Sequence, residues 1–76
     1  MRNLGSKSEA MLAKIGVNFS VDLENLGAVE AFKHLQTSGE KVSLLTLYAM
    51  YGALTNRAWE LLTPDERQAL KSAVER

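Results

Sequence analysis

The chain has 76 residues, 46% of them hydrophobic and 24% charged, and no cysteine. A single small domain is expected, with no disulfide and no thiolate metal site to support it, so each large apolar side chain counts. Nine Lys and Arg balance nine Asp and Glu, which excludes the overall basicity of a dedicated nucleic-acid binder, and no apolar run nears the roughly 18 residues of a membrane span.

Taken in chain order, the punctuation predicts short helices and no strand, because no segment alternates apolar and polar residues for long. Ser6-Lys7-Ser8-Glu9 reads as a capping box with Ser6 at N-cap. It opens a first helix with Met11, Leu12 and Ile15 on one face, and Gly16 stands where a left-handed residue would stop it. Ser20 or Asp22 caps a second helix through Leu26, with Val21, Leu23 and Leu26 inward, and Gly27 ends it. The third helix carries Ala28, Ala31, Phe32 and Leu35 at helical spacing, with Glu30, Lys33, His34 and Thr37 opposite. A polar loop, Thr37 to Lys41, follows.

Ser43 caps a fourth helix, Leu44 to about Leu54, which is apolar nearly all round and is therefore expected at the centre of the fold, wrapped by its neighbours. Gly52 inside it costs about 1 kcal/mol against Ala, which points to close helix–helix contact there. A helical turn around Arg57 to Leu62 carries Trp59 and Leu62. Thr63-Pro64-Asp65-Glu66 combines a capping box with proline at the first helical position. The helix it opens has Leu70, Ala73 and Val74 inward. The expected architecture is all-α, a compact orthogonal bundle of five or six helices spanning residues 1–76 as one domain.

The inventory for chemistry is sparse. His34, the sole histidine, sits on a polar face beside Glu30 and Lys33, which form neither a nucleophile pair nor a metal cluster. Asp65 and Glu66 are explained by helix capping and the helix dipole. Tyr48, Tyr51 and Trp59 read either as core or as a base-stacking platform. No catalytic, cofactor-binding or metal-ligating residue is expected, and the protein is not expected to be an enzyme.

One segment has a more specific reading. Leu4-Gly5-Ser6-Lys7-Ser8 feeds a glycine turn into a helix start, where backbone N–H groups and the positive end of the helix dipole make a potential phosphate cradle. Gly5, Ser6, Lys7 and Lys14 are its candidate phosphate or nucleic-acid contacts, with Arg2 adding charge. The alternative is an ordinary turn and N-cap that binds nothing.

Leu4 to Leu12, Ile15-Gly16-Val17 and Asp22-Leu23 resemble the second half of a helix-hairpin-helix motif. In that family the hairpin amides hold a DNA phosphate without reading sequence. Asn3 stands here where the first hairpin glycine would fall, and asparagine tolerates left-handed dihedrals. The ordered series Asn3-Leu4-Gly5, Met11-Leu12, Ile15-Gly16-Val17, Asp22-Leu23, Leu26-Gly27-Ala28, Ser43-Leu44, Leu47-Tyr48-Ala49, Gly52-Ala53-Leu54, Trp59 and Leu62 is similar to the C-terminal domain of TfoX (Sxy) proteins. Those are bacterial regulators of natural competence, and an α/β domain usually precedes this part in full-length members.

The resemblance implies a helix-hairpin-helix-like or SAM-like helical fold and a role in transcriptional activation of DNA-uptake genes through protein–protein interaction. The implied partner is another protein of the transcription machinery, such as a DNA-bound activator or RNA polymerase, or a second copy of the chain. Weak, sequence-independent DNA binding through the Leu4 to Lys7 turn is the alternative. The N-terminus carries no secretory pattern, so the expected compartment is the cytoplasm.

Overall fold

The computed structural model describes residues 3–75. Five α-helices follow in order: α1 Ser6–Lys14, α2 Ser20–Leu26, α3 Ala28–Thr37, α4 Leu44–Leu54 and α5 Pro64–Val74, with a 3₁₀ turn Trp59–Leu61 before α5. Among the described residues there is no strand, and no helix is long and apolar enough to cross a membrane.

The caps explain where these helices begin. At α5, Glu66 N–H donates to Thr63 Oγ1 at 3.1 Å and Thr63 N–H donates to Glu66 Oε1 at 3.0 Å, so the predicted capping box forms. At α2, the Asp22 carboxylate accepts from Asn18 N–H and Phe19 N–H, each at 3.0 Å, and the helix starts at Ser20. At α1 the expected box is absent. Gly5, with extended backbone, takes the N-cap place and its carbonyl accepts from Glu9 N–H at 3.0 Å, so Ser6 is already helical and its hydroxyl caps nothing. Ser43 precedes α4 as expected but makes no side-chain cap bond.

Three helices end by one device. After α1, Val17 N–H donates to Leu12 O (2.9 Å) and Gly16 N–H to Ala13 O (3.1 Å), with Gly16 at φ +85°. After α3, Glu40 and Gly39 make the same pair of bonds to Leu35 and Gln36. After α4, Arg57 N–H reaches Gly52 O (2.8 Å) and Asn56 N–H reaches Ala53 O (3.3 Å), with Asn56 at φ +55°. Each reversal satisfies two orphan carbonyls and needs one left-handed residue, a conformation asparagine tolerates.

The core is one cluster drawn from every helix. Leu12, Leu23, Leu35, Leu47 and Met50 are its largest fully buried side chains. Each contributes about 1.5–3 kcal/mol by leaving water. The predicted stripe Ala28, Ala31, Phe32 and Leu35 is buried along its whole length, and α3 touches α1, α2, α4 and α5.

Three further expectations change. Val21 points to solvent rather than inward, at 53% exposure. Helix α4 is not wrapped all round: Leu47, Ala49, Met50 and Gly52 are buried, but Leu45 is 50% exposed and Tyr48 and Tyr51 are half-buried. A chain of this length lacks the surface to enclose a whole helix, so α4 shares the centre with α3. Gly52 does mark a close approach, but its neighbours are not a second helix. A Cβ there would lie 2.8 Å from Arg57 O, where the chain folds back, and 2.5 Å from Asn3 Nδ2.

Candidate functional site

The turn before α1 is built by two anchors. Asn3 adopts φ +67°, as expected for the residue in the hairpin-glycine place, and Leu4 is buried in the core. Gly5, Ser6 and Lys7 therefore project together at the surface, and the N-cap residue, Gly5, has no side chain with which to cap the helix. First-turn N–H groups and the dipole favour an anion there, and Lys7 adds a positive charge. Glu9, in the same turn, adds a negative one.

Lys14 is not brought to this turn. It is the last residue of α1, two helical turns or about 10 Å along the axis from Lys7, and its ammonium lies 2.9 Å from Glu40 Oε1. A lysine there complements the negative end of the dipole. Arg2 lies outside the described residues. His34 is exposed on α3 and, with Ile15, Thr37 and Ser38, lines an open hollow of about 500 Å³. The hydroxyls of Thr37 and Ser38 are spent on Lys33 O and Leu35 O, at 3.0 and 2.9 Å. Among the described residues no group of three or more His, Asp or Glu is placed to hold a metal ion.

Tyr48, Tyr51 and Trp59 behave neither as plain core nor as bare platform. The Arg67 guanidinium lies between the rings of Tyr48 and Trp59, 5.8 and 5.5 Å from their centroids, and donates to Glu60 O at 3.1 Å. Arg57 stands 6.0 Å from the Tyr51 centroid. Each ring thus has an internal cation on it, and such contacts contribute about 0.5–2 kcal/mol. Neither arginine announces this role in the sequence, because the rings come from α4 and the 3₁₀ turn while the cations follow them in the chain.

Arg57 also holds Glu66, through Nη1–Oε1 at 3.0 Å and Nη2–Oε2 at 2.5 Å. The guanidinium hydrogen bonds first, and the Thr63 N–H second, hold the Glu66 carboxyl down to about 2, from an ordinary 4.5. A carboxyl depressed in the folded state stabilises the fold above its unfolded pKa and loses that contribution as pH falls through the folded one. The melting temperature is therefore expected to drop as pH falls from 4.5 towards 2, and Glu66→Gln should flatten that drop. Superimposable acid profiles for the two proteins, read by circular dichroism, would show that the pair contributes nothing.

The surface also carries four large apolar side chains. Phe19 is 70% exposed, Val21 53%, Leu45 50% and Leu61 66%. The first two flank the start of α2, and the others lie on α4 and the 3₁₀ turn.

The family model described as "TfoX C-terminal domain" matches residues 1–74. A crystal structure of a protein of unknown function from Listeria monocytogenes, in a tetragonal form, superposes with a TM-score of 0.91 at 29% identity, covering 99% of this chain and 93% of that one. No curated protein matches the chain.

Proposed function

Because the chain belongs to the TfoX C-terminal domain family, we propose that it is a non-enzymatic regulatory domain that works in transcriptional activation by binding another protein, in the manner of the competence regulators. The observation that carries this reading is the family match from residue 1 to residue 74. Phe19 and Leu61, the two most exposed large apolar side chains, are the positions at which this reading is tested. The setting is the bacterial cytoplasm, and RNA polymerase or a DNA-bound activator is the partner class.

A second reading rests on the start of α1. Its glycine N-cap and the adjoining Lys7 suit a DNA phosphate, bound without regard to sequence.

One set of titrations separates the two. Purified RNA polymerase and a labelled DNA duplex are each titrated with the chain at about 50 and 200 mM salt. The regulatory reading expects polymerase binding that weakens about tenfold in Phe19→Ser or Leu61→Ser, at unchanged melting temperature, and is indifferent to Lys7→Glu. The DNA reading expects affinity that falls steeply with salt and is lost in Lys7→Glu. Polymerase binding untouched by either apolar substitution counts against the first reading, and DNA binding that survives Lys7→Glu counts against the second.

A further inference from the structure

Asn3, Arg57 and Glu66 come from three separate segments and meet at one junction. Asn3 Nδ2 donates to Arg57 O at 2.7 Å. The Arg57 N–H donates to Gly52 O at 2.8 Å, which fixes this residue against the end of α4. Its guanidinium donates to Thr55 Oγ1 at 3.1 Å and grips both carboxylate oxygens of Glu66. Glu66 Oε1 in turn accepts from Thr63 N–H and so caps α5.

Arg57 thus faces two ways: its carbonyl holds the segment that leads into α1, and its side chain holds the start of α5. A bidentate guanidinium–carboxylate pair is geometrically specific, so it fixes the Arg57 side chain and the Glu66 carboxylate against one another. The same Asn3 is followed by Leu4, buried in the core, and Gly5, the N-cap of α1.

We propose that Asn3, Arg57 and Glu66 form a relay that couples the start of α1 to the start of α5, so that loosening either end loosens the other. The relay stands apart from the regulatory reading, since it requires no partner. Coupling of this kind is reciprocal, so a change made at Asn3 is felt at Glu66 and a change made at Glu66 is felt at Asn3.

Amide hydrogen exchange of the full chain tests it. In Asn3→Ala, exchange at the Glu66 and Arg67 N–H groups is expected to quicken at least about fivefold relative to Leu35, the lower end of typical site-to-site coupling. Asn3 bonds to neither residue. Lys14→Ala, which breaks the ion pair with Glu40, should leave both N–H groups unchanged. Acceleration confined to residues 4–5 and 49–57, or spread evenly over all amides, overturns the relay. Glu66→Gln reads it from the other side and serves if Asn3→Ala does not fold. There the Asn3 side-chain amide protons are expected to exchange several-fold faster, and an unchanged rate also overturns the proposal.

Discussion

Gly52→Val is expected to lower the melting temperature by about 10–20 °C, given overpacking of roughly 2–3 kcal/mol and about 4–8 °C per kcal/mol in a chain of this size. Two effects compete at this position. Alanine in place of glycine removes the helix-interior disadvantage, a gain of about 1 kcal/mol, and β-branched valine recovers less of it. The same Cβ would sit 2.8 Å from Arg57 O, 3.3 Å from Trp59 N and 2.5 Å from Asn3 Nδ2. The Asn3 amide can swing away, at the loss of its bond to Arg57 O. The Arg57 carbonyl cannot, because the reversal after α4 ties that residue back to Gly52 itself. The clash therefore wins, and even Gly52→Ala should melt below the wild type, by less than the valine variant. A Gly52→Ala protein that melts higher than wild type would show that helix propensity decides instead.

Leu47→Ala is expected to cost about 2–5 kcal/mol, the range for truncating a buried leucine that leaves a cavity. A chain of 76 residues has only roughly 4–11 kcal/mol to lose, at about 0.05–0.15 kcal/mol per residue, so the variant should lie near the edge of folding. Leu47 has no exposed surface and lies in α4, which touches α2, α3 and α5 as well as the 3₁₀ turn. Leu45, two residues earlier on the same helix, is 50% exposed, and Leu45→Ala should stay within about 0.5 kcal/mol of wild type. Urea unfolding of the pair measures the difference directly. Equal midpoints would mean that α4 is not seated as described.

What could be read from the sequence was local. The stripe on α3, the Thr63 to Glu66 cap and the stop at Gly16 each depend on residues within a few positions of one another, and each forms as expected. Gly5, Ser6 and Lys7 are neighbours in the chain, so their grouping at one turn was legible too. Charge alone groups Lys14 with them, whereas the helix carries it to the other end.

The rest depended on tertiary placement. The N-cap of α1 falls on Gly5 rather than Ser6 because Asn3 and Leu4, held by α4 and the core, set where the chain can begin to coil. Val21 faces out because, at about 100° per residue, it lies about 200° round α2 from the buried Leu23, on the opposite side of the helix. Asn3 was readable as tolerant of a left-handed turn, but its partner lies 54 residues away. No spacing rule reaches that far.

Trp59 is the sole indole of the chain, with Arg67 on its face and Leu61 exposed two residues on. The molecule therefore carries its own fluorophore at the corner between α4 and α5. Dehydration of that corner by a docked ligand moves the emission to the blue, whereas withdrawal of Arg67 wets the ring and moves it to the red, so one spectrum tells the two events apart without an attached dye.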